Sequence, residues 1–269
     1  MRTWNGLRLN RNDACVILMV STILIVHQMI TIKRRLFFLH GFFMDSRMFK
    51  HQVEHFQSQY RVICFDFRGF GQTEWDNKAF TLDDLVCDVI NTLAHLGITK
   101  IILVGMSMGG YVAQRIALIK PNLVDALILI ATQAASDNPD TISSYHQLRD
   151  NWNNVIAREQ IVNTLLPVII GDDEYEQSNW KKVWLSYQQE NIYHPMTAMT
   201  TRNAIDVSQI EQPCLVIHGK DDVGIPLQAA QMLHDALPNS TMVIVEGACH
   251  AVNLTHPVEV NAAINQFLK

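Results

Sequence analysis

Residues 101–121, IILVGMSMGGYVAQRIALIKP, decide how the rest of the chain is read. The first four, 101–104, form an apolar run with no polar alternation, which suits a strand covered on both faces of a parallel sheet. Glycine then breaks the run. Gly105, Met106, Ser107, Met108 and Gly109 make a G-x-S-x-G turn, and 111–120 carries helix formers up to Pro121, which a helix cannot pass through cheaply. A serine at the apex of a strand-turn-helix is held in a strained backbone conformation, and side chains two residues to either side would collide with strand and helix. Glycine at both places removes the collision. The turn lifts the Ser107 hydroxyl clear of the sheet, while the helix behind it offers unpaired N–H groups and the positive end of its dipole. The arrangement predicts a nucleophile with an oxyanion site beside it.

Upstream, 36–39 (LFFL) reads as another buried strand, followed by His40-Gly41-Phe42-Phe43-Met44-Asp45. Gly41 permits a tight turn, and the Phe42 N–H can point back over the sheet edge. With the N–H of Met108 it would make a two-donor oxyanion hole, each donor typically worth ~3 kcal/mol of transition-state stabilisation. His40 is expected to brace this loop rather than to transfer protons. A helix is expected over 46–59 and a strand over 61–66 (RVICFD). The glycines of 67–73 (FRGFGQT) match neither G-x-x-x-x-G-K nor G-x-G-x-x-G, so that loop reads as a structural turn. Over 81–96, Leu82, Leu85, Val86, Val89, Ile90, Leu93 and Leu96 fall at helical spacing, with Thr81 and Asp84 as a capping box and Gly97 as the stop.

Downstream, 126–131 (ALILIA) is a further buried strand. Apolar strands alternating with helices imply a mostly parallel, doubly wound sheet, with ligands at the carboxyl ends of the strands. From 133 to 212 the texture turns polar without a buried strand, and Trp152, Trp180, Trp184, Tyr187 and Tyr193 collect there. This stretch is expected to be a helical insertion over the active-site edge. Its aromatics suit a small core of its own as well as they suit substrate contact. The sheet resumes at 214–218 (CLVIH), followed by GKDDVGIP, where Asp222 or Asp221 would orient a histidine. After a last strand at 241–246 (TMVIVE), His250 would be the base, and 257–268 the closing helix. Three strand ends in the order Ser, Asp, His give the spacing its weight.

Composition bounds the alternatives. With 269 residues and 48% apolar content, the chain can fill one large α/β core. A net charge of −5 and the lack of a basic run interleaved with aromatics argue against a nucleic-acid partner. Five scattered cysteines, an odd number, indicate free thiols in a reducing, cytoplasmic setting. No metal cluster or cofactor fingerprint is evident. Residues 16–32 are nearly apolar enough for a short membrane anchor between basic flanks, but His27 and Gln28 interrupt them. The next core strand also follows within a few residues. Edge strands of the same sheet are therefore expected there, and a membrane partner is not.

LHGFFMD, DFRGFGQT, GMSMGG, HGKDDVGIP and GACHAV, spread over 36–269, resemble the corresponding segments of the α/β-hydrolase family. Within it the chain is most similar to the small esterase, 3-oxoadipate enol-lactonase and cofactor-free haloperoxidase (perhydrolase) group. The resemblance implies an α/β-hydrolase core over 1–132 and 213–269 with a helical cap over 133–212. It also implies a triad of Ser107, Asp222 and His250, with the acid on Asp222, and a small ester or lactone as substrate. Cys249 stands where the family has glycine, Thr255 where it has an acidic residue, and 5–9 (NGLRL) resembles its first strand. A carbon-carbon hydrolase of the meta-cleavage type or a perhydrolase would use the same triad. A non-catalytic ligand-binding protein of the same fold is the alternative of another kind.

Overall fold

The computed structural model describes residues 34–76 and 78–269. The strands expected within 16–32 and the likeness at 5–9 lie outside them. The described chain runs β1 (Arg35–Leu39), a 3-10 turn (Ser46–Phe49), α1 (Lys50–Phe56), β2 (Arg61–Phe65), α2 (Leu82–His95), β3 (Ile101–Met106), α3 (Met108–Ile119) and β4 (Val124–Ile130). It continues through α4 (Pro139–Asn151), α5 (Val155–Ile170), α6 (Glu174–Ser186), α7 (Gln189–Thr200), β5 (Cys214–Gly219), α8 (Leu227–Ala236), β6 (Ser240–Val245), α9 (Val252–Thr255) and α10 (Pro257–Phe267).

The strands form one sheet of order β2-β1-β3-β4-β5-β6, and every neighbouring pair is parallel. Crossovers of one hand that run outward from β1 to β2 and then back to β3 put α1 and α2 on opposite faces. The packing agrees, with α2 against α3 and α1 against α10. Two covered faces explain why β3 is buried at every position and why its sequence shows no alternation. At the edge, β6 is only partly buried, and its sequence is correspondingly more polar.

Local signals explain most boundaries. Thr81 and Asp84 cap α2 reciprocally, and Gly97 follows it with φ +63°. The helix expected over 46–59 divides instead into a 3-10 turn, capped by the Asp45 side chain, and the short α1, because Phe49 leaves helical geometry at φ −96°, ψ 14°. Helix α3 begins at Met108, three residues earlier than helix propensity suggests. Gly109 and Gly110 are poor helix formers, placed by contact rather than propensity. A Cβ on Gly109 would lie 2.6 Å from the Leu39 carbonyl carbon, and one on Gly110 2.5 Å from Thr132 Oγ1.

Residues 133–212 contain α4 to α7 and no strand. Trp152, Trp180, Trp184 and Tyr187 are buried, whereas Tyr193 is 40% exposed. Both connections to the sheet are tied to α3 and to each other. Arg202, 2% exposed in its side chain, donates to both carboxylate oxygens of Asp137, itself 6% exposed, at 2.6 and 2.9 Å. The same guanidinium donates to the carbonyls of Met199 and Ala135 and lies 4.0 Å from the centre of the Tyr111 ring on α3. Gln114 donates to the Gln133 carbonyl, and Arg115 to that of Asn203. Removing one partner of a buried pair strands the other charge. Arg202→Ala should therefore lower the unfolding free energy by about 3–5 kcal/mol in urea titrations, and the double change Arg202→Met with Asp137→Leu should recover most of it.

Candidate active site

Ser107 follows β3 with φ 51° and ψ −114°, a sparsely populated conformation that costs on the order of 1–3 kcal/mol. Its surroundings hold it there. The Ser107 N–H donates to the Ile130 carbonyl at 2.9 Å, and its own carbonyl accepts from Gly110 N at 2.8 Å and from Thr132 Oγ1 at 2.9 Å. Glycine is required on both sides. A Cβ on Gly105 would lie 2.7 Å from the Gly109 carbonyl carbon, and one on Gly109 2.7 Å from the His40 carbonyl oxygen.

The His250 ring joins the other two side chains. Its Nε2 lies 3.0 Å from Ser107 Oγ and its Nδ1 2.7 Å from Asp222 Oδ2. Asp222 accepts on its other oxygen from the N–H groups of Gly224 and Ile225, both at 2.9 Å. Burial alone pushes this carboxyl group up. The His250 charge, the hydrogen bond from its ring and the Ile225 N–H outweigh burial and hold Asp222 below the ordinary carboxylate range. An ionised acceptor at Nδ1 requires the proton on that nitrogen, which leaves Nε2 free to accept from the Ser107 hydroxyl. Of the two aspartates the sequence left open, Asp222 meets the ring, while Asp221 is exposed and uses its backbone N–H to bond the Ala248 carbonyl.

The two residues whose amides were expected to face an oxyanion, Phe42 and Met108, follow Gly41 and Ser107 in the chain. The Met108 N–H is the first of α3 and has no acceptor within the helix. Phe42 follows Gly41, and a Cβ on Gly41 would lie 3.2 Å from Ser107 Cβ. His40 is fully buried and braces this loop: its Nε2 accepts from Phe67 N at 3.0 Å, so Nδ1–H donates to the Gly41 carbonyl at 2.8 Å. Asp66 adds a second brace, accepting from Ser46 N at 2.7 Å and Gln72 N at 3.1 Å.

Two contributors were not singled out from sequence. Gly219 ends β5, and a Cβ there would lie 2.5 Å from the Cys249 carbonyl oxygen and 2.8 Å from the Ala248 carbonyl carbon. The histidine loop passes directly over this glycine on its way to Ser107. His218, fully buried, donates Nε2–H to the Ile225 carbonyl at 2.8 Å and sets the same nitrogen 3.4 Å from Asp222 Oδ2. It braces the loop that presents Asp222. A strand-end histidine and glycine give a sequence-level signal only once that crossing is known.

Two predictions follow from these contacts. Gly219→Ala should lower kcat/KM at least about 10-fold on any substrate turned over, because the displaced loop carries His250; wild-type kinetics from a folded variant would refute the crossing constraint. Burial lowers the pKa of both His40 and His218, and neither has an uncommitted acceptor for a second proton. The unfolded chain, with histidine near ~6.5, then binds more protons than the fold as pH falls. The stability these two neutral rings contribute is complete above about pH 6.5 and is lost as pH drops towards their folded values. Urea midpoints should fall between about pH 6.5 and 5, and less steeply in His218→Phe.

Residues 34–257 match the model of the alpha/beta hydrolase fold family. Among curated proteins, the chain is 26% identical over 244 residues to the uncharacterized hydrolase YugF of Bacillus subtilis, covering 86% of this chain and 88% of that one. It is 27% identical over 224 residues to 3-oxoadipate enol-lactonase 2 of Acinetobacter baylyi, covering 82% and 84% of the two chains. Among solved structures, a thermophilic esterase from Thermogutta terrifontis superposes with a TM-score of 0.82 at 24% identity, over 92% of this chain and 98% of that one. The match to the family model across most of its length, together with the single parallel sheet, shows that this chain belongs to the alpha/beta hydrolase fold family.

Proposed function

We propose that the chain is a serine hydrolase that cleaves a small ester or lactone through an acyl-enzyme on Ser107. The observation that carries this reading is one imidazole within bonding distance of both the Ser107 hydroxyl and the Asp222 carboxylate. Ser107 attacks the substrate carbonyl as His250 Nε2 takes its proton, and Asp222 stabilises the imidazolium and fixes its tautomer. The Phe42 and Met108 amides receive the negative charge that develops on the carbonyl oxygen. His250 then protonates the departing alkoxide. In the second half it removes a proton from water, which attacks the acyl group and releases acid and free Ser107. A lactone gives a single product because its alcohol and acid remain joined.

The names of the enol-lactonase and esterase relatives point to the same substrate class. In this reading 133–212 is a cap over the site, carried on a core of 1–132 and 213–269. Among the described residues no helix is long and apolar enough to cross a membrane, and no three metal-ligating side chains cluster.

An organophosphonate should add covalently to Ser107, as read by intact mass and peptide mapping, and should not add to Ser107→Ala. A folded wild-type sample that stays unmodified would remove the nucleophile from the proposal. Against p-nitrophenyl esters of increasing acyl length and a panel of lactones, Asp222→Asn should lower kcat by on the order of 10⁴, because the ring then loses the tautomer that accepts the serine proton.

A further inference from the structure

The loop carrying Phe42 closes on a hydrogen bond from Met44 N to the Gly41 carbonyl at 3.2 Å, with Phe43 at the third position of the turn and φ +67°. That position normally takes glycine, since an L side chain there is strained. Phe42 stands at the second position, so the direction of its N–H depends on the turn staying closed.

What holds Phe43 in this conformation comes from 133–212. Its ring is 2% exposed, stacks on Trp184 at 4.9 Å and 30°, and lies 5.4 Å from Trp152. The Tyr187 hydroxyl donates to the Phe43 carbonyl at 3.3 Å, and Trp152 Nε1–H donates to the Tyr187 carbonyl at 3.1 Å. Three aromatic residues from the end of α4 and from α6 are thus linked to one another and close on a single strained residue beside the nucleophile.

We propose that Trp152, Trp184 and Tyr187 are positioning residues: they clasp Phe43 in its left-handed conformation and thereby aim the Phe42 amide at the oxyanion. The seating of the helical segment then governs the chemical step, beyond any role in covering substrate. This rests on the Ser107 acyl-enzyme reading for its kinetic consequence but not for its structural one. A misdirected donor weakens the transition state more than the ground state, so the loss falls on kcat rather than KM.

Trp184→Ala is expected to lower kcat about 10- to 100-fold with KM changed less than about 3-fold, and Trp184→Phe to restore most of it. Tyr187→Phe removes only the hydroxyl, leaves packing in place, and is expected to lower kcat about 3- to 10-fold at an unchanged Tm. Trp180→Ala is the control. That ring lies in the same helix and is buried, but it lies under the Arg47 guanidinium at 5.6 Å rather than on Phe43. Equal kcat losses in Trp180→Ala and Trp184→Ala, or wild-type kcat in Tyr187→Phe, would overturn the clasp. Amide hydrogen exchange of the peptide spanning 41–44 gives a readout independent of turnover. It should accelerate in Trp184→Ala and not in Trp180→Ala. Unchanged exchange in Trp184→Ala overturns the clasp whether or not the chain hydrolyses esters. Accelerated exchange in a protein that takes no phosphonate leaves the clasp standing and defeats the hydrolase reading.

Discussion

A ring that follows the edge strand β6 must lie beside a serine that follows β3, three strand spacings or ~14 Å across the sheet. Everything around the site serves that span. The loop after β6 turns back over the end of β5, where Gly219 leaves room for its backbone, and Asp221 N bonds the Ala248 carbonyl from below at 3.0 Å. Beyond His250 the chain is caught on two further sides. Ala251 N donates to the Ile169 carbonyl at the end of α5 at 2.8 Å, and Asn253 donates to the Met48 carbonyl at 3.1 Å while Gln52 donates to the Asn253 carbonyl at 2.9 Å. The imidazole is therefore held by the backbone path of its loop, and its two ring bonds are the last contacts in a longer chain of supports.

The same dependence on distant neighbours holds for Ser107. Strained backbone at Ser107 and Phe43 persists only because neighbours over-determine it, and in both cases the neighbours belong to other elements. Ser107 is fixed by Ile130 and Thr132 at the end of β4, and Phe43 by the rings of α6 and of Trp152. Strand ends that point the same way make this possible, because a parallel sheet gathers the loops after β1, β3, β4, β5 and β6 along one rim.

Residues that act through local rules were readable without coordinates. The G-x-S-x-G turn, the Thr81–Asp84 box and the apolar strands each carry their cause within a few positions, so the parallel α/β core and the strand ends bearing Ser107 and His250 follow from the chain itself, whereas local rules leave Asp221 and Asp222 open and only the family resemblance favours Asp222. What stayed hidden depends on distant segments meeting. His218 looks like the last residue of a strand, and its service to Asp222 appears only when Ile225 folds back upon it. The aromatics of 133–212 carry no periodicity that tells a private core from a contact with 40–45; only the fold brings Trp184 to Phe43. Helix α3 starts earlier than propensity implies because Leu39 and Thr132, both remote in sequence, leave room only for glycine at 109 and 110.

Cys249 ties the loop of His250 to the helical segment. Its side chain stands immediately before His250, and the space for it lies at the end of α5. Gly171 adopts φ +73° there, and a Cβ on it would come 3.3 Å from Cys249 Sγ. The Cys249 side chain on the histidine loop thus fits against a glycine of the helical segment. The Ile169–Ala251 hydrogen bond lies at the same junction, so α5 braces the loop of His250 while α6 packs on Phe43 in the loop after β1. A rigid-body swing of this segment away from the sheet would leave the Ala251 N–H without its acceptor, uncover Trp152 and Trp184, and release Phe43. An unmade buried hydrogen bond costs about 1–3 kcal/mol and each exposed large ring roughly as much. A segment fastened both to the loop of His250 and to the loop of Phe43 is thus part of the scaffold on which the Ser107, Asp222 and His250 side chains meet.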